Sequence, residues 1–168
     1  MKTIAARIAL FLLFLSAFAS VQTLAQSAAV PPSASITILR ADQAPSIFGP
    51  ENHFIGKVKM DTLTEPVPGS RPRVLNITFA PGARTAWHSH PLGQILIVTS
   101  GSGFIQQRGG PIQAIHEGDV IWTPPNVQHW HGAGPNGPMT HISIYDEPSG
   151  QVTQWLEQVT DAEYAKAK

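Results

Sequence analysis

No cysteine occurs anywhere in the 168 residues. That absence removes disulfides, thiolate metal sites, a cysteine nucleophile and a lipidated N-terminal cysteine together. Charge is scarce as well: Asp, Glu, Lys and Arg make up 13% of the chain, eleven acidic against eleven basic, with no basic run. Such a balance offers no electrostatic footprint for nucleic acid. A membrane-spanning helix needs roughly 20 apolar residues, and the uncharged run from Ile8 to Phe18 falls well short of it. What the chain does have is a 42% hydrophobic share, enough for a core, and 14 glycines with 15 prolines. Punctuation that dense points to an all-β domain and away from a helix bundle. The length suits one ordinary domain.

Lys2 and Arg7 precede the apolar run, and small residues follow it at Ala17-Phe18-Ala19 and Thr23-Leu24-Ala25. Residues 1–25 therefore read as an export signal cleaved after Ala25, which predicts a periplasmic or secreted protein without a stable membrane anchor. Residues 26–52 read as a mobile leader and loop, with Ser35 to Arg40 as a candidate edge strand. From residue 53 to 148 the chain reads as a barrel. Short β-rich runs at 74–79, 84–88, 94–99, 103–107, 112–115, 119–123, 127–131 and 139–145 are separated by turns such as Pro81-Gly82, Ser100-Gly101 and Glu117-Gly118. That spacing predicts a sandwich or small barrel. Gln94 to Val98 and Val120 to Trp122 lack a polar face, which predicts a homo-oligomer, dimer or tetramer. In the tail, 149–168, Val152, Trp155, Leu156 and Val159 form a helical stripe, and Thr160 with Glu163 can cap a last turn.

Seven histidines stand at 53, 88, 90, 116, 129, 131 and 141. His53 and His116 fall in loops and are expected at the surface. The others are patterned. His88-Ser89-His90 puts two imidazoles on one face of an extended strand, and His129 and His131 repeat this. His141, Ser143 and Tyr145 form a third polar stripe, with apolar Ile142 and Ile144 between. Polar stripes facing a barrel interior are costly unless they meet around an ion, water or ligand. Neutral imidazoles suit a divalent transition metal; scattered structural histidines are the plainer alternative. Ser89, between two candidate ligands, faces away from them, so nucleophilic hydrolysis is not supported.

Pro81 to Gly101 resembles the first motif of the cupin superfamily. Gly82, His88, His90, position 94 and Gly101 meet its spacing, and Gly118, Pro124, Asn126, His129 and Ala133 follow the second motif 16 residues later. The resemblance implies a cupin fold, a double-stranded β-helix or jelly-roll barrel, here with a short C-terminal helical segment. Asn126 replaces a turn glycine, which Asn tolerates, and Ala133 replaces an asparagine. Gln94 stands where most cupins carry a glutamate. An amide leaves the ion's charge of +2 uncompensated, giving a stronger Lewis acid.

A narrower likeness covers about 55–164. Pro81 to Gln94, His129 to Ala133, Met139-Thr140-His141 and Trp155 to Tyr164 are similar to the small bacterial cupins that include manganese-dependent hydroxynitrile lyases. That likeness implies His88, His90, Gln94 and His129 as metal ligands and His131 and His141 as catalytic residues. It implies manganese as cofactor, while iron, nickel, cobalt or zinc suit the same donors. Tyr145 stands where those lyases carry a glutamine-like side chain. Tyr145, Phe104 and Trp130 are expected in the substrate pocket, and Trp87 is a further aromatic candidate. The expected activity is cleavage or formation of cyanohydrins, with the metal as Lewis acid and a histidine as base, acting on a small-molecule substrate. A metal-dependent dioxygenase and a non-catalytic small-ligand-binding cupin are the alternatives. Arg84, four residues before His88, shares its face and is expected to pair with a loop acid.

Overall fold

Alternation of buried and half-exposed side chains sets the strands. The computed structural model describes residues 36–64, 72–146 and 153–167. The expected export signal, most of the leader, Val152 and the loop 65–71 lie outside the described residues. Among the described residues no helix is long and apolar enough to cross a membrane.

The strands are β1 (Ser46–Phe48), β2 (Phe54–Ile55), β3 (Val58–Thr64), β4 (Pro72–Phe79), β5 (Arg84–Thr85) and β6 (His88–Ser89). They continue with β7 (Gln94–Gln107), β8 (Ile112–His116), β9 (Val120–Thr123), β10 (His129–Ala133), β11 (Met139–Asp146) and β12 (Gln154–Trp155). One antiparallel layer runs β1-β3-β4-β11-β7-β9, and the other runs β2-β5-β10-β7-β8, with β6 beside β10 and β12 beside β6. The strand content and the curled sheet are those expected of an all-β barrel.

Both layers share β7. The two runs at 94–99 and 103–107 are thus one bent strand: its first half pairs β11 and β9, its second half β10 and β8. Glycine makes the bend possible. A Cβ at Gly101 (φ 76°) would collide with the Pro138 carbonyl, and one at Gly103 with the Gly132 carbonyl. The tight turn at Asn126 adopts φ 61°, the left-handed angle that its side chain tolerates.

Inside, Leu75, Ile77 and Phe79 of β4 meet Leu96 and Val98 of β7, Met139 of β11 and Phe54 in one core. Register puts Met139 opposite Phe79, His141 opposite Ile77, Ser143 opposite Leu75 and Tyr145 opposite Arg73. Facing residues share a side of the sheet, so the third polar stripe does point inward. It lies in the same wall as the core.

Two local expectations are corrected. Residues 36–40 form no strand; the edge strand is β1, inside the segment read as loop, where Ser46 to Phe48 pair with Lys59 to Asp61. The helical stripe is also wrong. Gln154–Trp155 is strand β12, and Leu156 N–H donates to Trp87 O while Trp87 N–H donates to Glu157 O. A neighbouring backbone with free partners straightened the segment. Helix α1 is confined to Asp161–Tyr164, where Thr160 and Glu163 form the expected capping box.

Candidate metal centre

Strands β6 and β10 lie side by side with His129 opposite His88. That single register brings the two H-x-H pairs together. The His88 ring lies 4.2 Å from His129, 5.3 Å from His90 and 5.2 Å from His131, centre to centre. Ligand nitrogens of His88, His129 and His131 all lie within 4.8 Å of one another. The expected set had His90 in place of His131; the structure groups His131 with the shared pair, and holds His90 at its other flank, its Nδ1 3.3 Å from Thr153 Oγ1.

The protonation of these rings follows from their partners. His88 Nδ1 sits 3.0 Å from Ala86 O, and His129 Nδ1 2.9 Å from Val127 O. A carbonyl only accepts, so each Nδ1 carries the hydrogen and each Nε2 keeps a lone pair. Burial makes the charged forms costly. It pushes His90 down to about 3 and His129 to about 4, and drives His88 well below the ordinary value, with the neighbouring imidazoles adding to the effect.

Gln94 supplies the test of fit. Its Nε2 donates to Ser143 Oγ at 2.9 Å, which aims Oε1 at His129 Nε2, 3.0 Å away. Two lone pairs therefore face each other at hydrogen-bond distance. Only a cation shared between them, or a flip of the amide, relieves that contact. His90 Nε2 is likewise buried without a hydrogen-bond partner. Neutral imidazoles and an amide oxygen are donors that a divalent transition ion accepts, and these residues fit one.

Beyond the cluster, His141 Nε2 lies 3.2 Å from His131 Nδ1, both rings fully enclosed and both packed on Phe79. Burial lowers His141 to about 4 and drives His131 well below the ordinary value, with the neighbouring imidazoles adding to the effect, so the pair rests uncharged. One proton bridges two nitrogens there, and it can reside on either.

A cavity of about 390 Å³ opens onto His88, His90, Gln94 and His131. Tyr145 lines it, its ring 4.6 Å from that of His90. Phe104 and Trp130 do not. Alternation explains the correction: inward His129 and His131 force Trp130 outward, where it packs with Trp87 and Val159, and Phe104 joins it opposite Gly132. Trp87 belongs to that outer cluster too. The aromatic wall comes instead from Trp155 of β12, stacked 4.2 Å on His53 and 4.9 Å from the His88 ring. His53 is half-exposed and also lines this wall, whereas His116 is exposed beside Asp119. Arg73 also lines the cavity and went unremarked, although its parity with Leu75 and Ile77 marks it as inward. Arg84 does pair with an acid: Asp161 of the tail, at 2.6 Å.

Residues 75–145 match the cupin domain family. Over 129 residues the chain is 45% identical to an (R)-mandelonitrile lyase of Granulicella tundricola, covering 77% of this chain and 98% of that protein. A cupin-like protein from Thermotoga maritima shares its structure at a TM-score of 0.69 and 46% identity, covering 71% of this chain and 91% of the other. A cupin-2 domain from Rhodospirillum rubrum shares the fold, at 16% identity and a TM-score of 0.60, covering 77% of this chain and 84% of the other.

Proposed function

The chain belongs to the cupin family, and from that premise we propose that it is a metal-dependent carbon–carbon lyase that cleaves a 2-hydroxynitrile to an aldehyde and hydrogen cyanide. One observation carries the reading: a linked, uncharged His131–His141 pair abuts a cluster of imidazole and amide donors on one cavity. Similarity to a mandelonitrile lyase over nearly its whole length supports the substrate class. His88, His129, Gln94 and His90 would hold a divalent ion, manganese in our reading, and the ion would supply Lewis acidity toward a substrate hydroxyl.

The remaining work falls to the chain. With Nδ1–H directed at His141 Nε2, His131 presents a lone pair at its own Nε2 and takes the hydroxyl proton there. As the carbonyl forms, the bond to the nitrile carbon breaks and its electron pair leaves with cyanide. The proton then returns from His131 to cyanide, and both histidines are again neutral. His141 acts through His131, fixing its tautomer and ring angle. Apolar walls from Phe54, Leu75, Ile77 and Trp155 exclude water and accept an aryl group. Residues 1–25 have the make-up of an export signal, so we place this chemistry outside the cytoplasm.

The test is release of benzaldehyde from racemic mandelonitrile by manganese-reconstituted protein, run beside metal-free protein and His131→Ala. Metal-dependent release that disappears in the variant is the expected result. No release above the metal-free control, with manganese shown to be bound, would refute the lyase reading and favour an oxygenase or a binding cupin.

A further inference from the structure

His88 and His129 each open a strand and turn Nδ1 back to a carbonyl two residues earlier, Ala86 O and Val127 O. A carbonyl only accepts, so both rings are committed to a bare Nε2. His90 has a different partner. Its Nδ1 faces Thr153 Oγ1 at 3.3 Å, from a segment 63 residues away in the chain. A hydroxyl can donate or accept, so this partner alone leaves two tautomers open. The other nitrogen decides between them. His90 is 3% exposed, and its Nε2 is buried without a hydrogen-bond partner. A hydrogen there would be a buried donor with nothing to receive it, whereas a lone pair there suits the cation that the neighbouring donors fit. From this contrast we infer that the C-terminal tail completes the metal centre: Thr153 accepts the Nδ1 hydrogen of His90 and thereby makes His90 Nε2 a metal ligand. Thr153 is in this sense a positioning residue. The inference rests on the reading of His90 as the third imidazole ligand.

Register makes the contact a property of the fold. Strand β12 runs antiparallel to β6, with Gln154 opposite Ser89 and Trp155 opposite His88. One step further in the same register puts Thr153 opposite His90. Residues two apart share a face, so Trp155 and Thr153 lie on the side that carries the two imidazoles. The Trp155 ring is 4.9 Å from that of His88. Strand β12 has only two residues, yet the chain beyond it is well anchored. Leu156 N–H donates to Trp87 O, Trp87 N–H donates to Glu157 O, and Val159 O accepts from both Nε and Nη2 of Arg84. A tail held at that end delivers a hydroxyl to the metal centre at the other. Outer partners of this kind fix ring orientation and tautomer, and losing one costs about 10- to 100-fold in metal affinity. The coupling is reciprocal: an ion on His90 Nε2 strengthens the Nδ1 hydrogen bond and holds the tail more firmly.

Manganese affinity, measured by chelator competition for the wild type, Thr153→Val, Thr153→Ser and His90→Ala, tests this. Thr153→Val keeps the shape and removes the acceptor, and should lose about 10- to 100-fold. Thr153→Ser keeps the hydroxyl without the methyl group and should retain most of the affinity, which a packing role for Thr153 would not allow. Exchange of the Leu156 amide should slow when zinc binds the wild type, and slow less in Thr153→Val. Nitrogen-15 NMR of the zinc-loaded wild type reads the tautomer directly, independent of how any variant folds, and should find the His90 hydrogen on Nδ1. Wild-type manganese affinity in Thr153→Val, with the ion lost from His90→Ala, would overturn the inference and leave the ligand set intact. Wild-type affinity in His90→Ala, or a His90 hydrogen on Nε2, would refute the ligand set and the inference together.

Discussion

Replacing Arg84 with methionine should loosen the C-terminal tail, and with it one wall of the cavity. Arg84 is buried, its side chain 4% exposed, and it donates to Val159 O from both Nε and Nη2, at 3.0 and 2.9 Å. Its third strong contact, Asp161 at 2.6 Å, is 95% exposed on the acid side. The ring of Tyr164 lies 4.7 Å from the guanidinium, and Tyr164 Oη donates to Ala133 O at 2.7 Å. Methionine fills much of the volume but leaves a buried carbonyl without its charged donors, a loss of about 1.5–3 kcal/mol. The ring contact adds about 1 kcal/mol, for a total near 3 kcal/mol. Asp161→Asn, by contrast, removes a solvent-screened charge and should cost under about 1 kcal/mol. Thermal unfolding of both variants measures the totals, with a drop of about 10 °C expected for Arg84→Met. Hydrogen exchange at the Leu156 amide, which donates to Trp87 O at 2.8 Å, reports the tail itself. Because Thr153 and Trp155 line the cavity, KM should rise with the exchange rate. If the two variants cost the same, or Leu156 stays protected in Arg84→Met, the backbone clamp is not what holds the tail.

Metal content separates the two candidate third imidazoles: His129→Ala and His90→Ala should lose bound ion by elemental analysis, whereas His131→Ala should keep it and lose turnover. An ion lost from His131→Ala and kept in His90→Ala would instead make His131 the ligand, as the 4.8 Å grouping alone suggests. Acid should destabilise the metal-free protein. The buried histidines titrate below their unfolded value of about 6.5, so the unfolded chain binds more protons, and stability present above that pH is lost as pH falls toward about 4, where His129 and His141 titrate. Each such histidine contributes up to about 1.4 kcal/mol per pH unit in that window; urea melts unchanged between pH 7 and 4.5 would contradict this. On the outer face of β9, Val120 and Trp122 are 68% and 57% exposed. We propose that a second copy covers them. Sedimentation should find a dimer or tetramer that Val120→Ser with Trp122→Ser breaks down, and a monomeric wild type would dispose of the idea.

Much of the site was legible because a strand's period of two is a local property. Two H-x-H pairs and the His141-Ser143-Tyr145 stripe had to present their odd members to one side, and all of them are found there. The same rule, followed strictly, would have turned Trp130 away from the cavity and Arg73 into it. Phe104, by contrast, shares the parity of inward Gln94 and faces away only because β7 changes phase between Val98 and Gly103. The misplacement of Trp130 came from weighing aromatic character above parity. The turn residues were readable for a similar reason: Gly82, Gly101, Gly118 and Asn126 all adopt positive φ, an angle few side chains accept.

Other features depended on pairings between distant segments. The apolar spacing of the tail suits a helix, yet hydrogen bonds to Trp87, about 70 residues earlier, hold it extended and bring Trp155 onto His53. Which imidazoles meet was decided by the register of β6 against β10, and Arg73 gained Tyr145 as a neighbour only when β4 paired with β11. By itself, the amino-acid sequence determined side, turn and donor chemistry, because these are set within a few residues. Tertiary structure decided distance, burial and company, because those belong to segments that the chain joins only by folding.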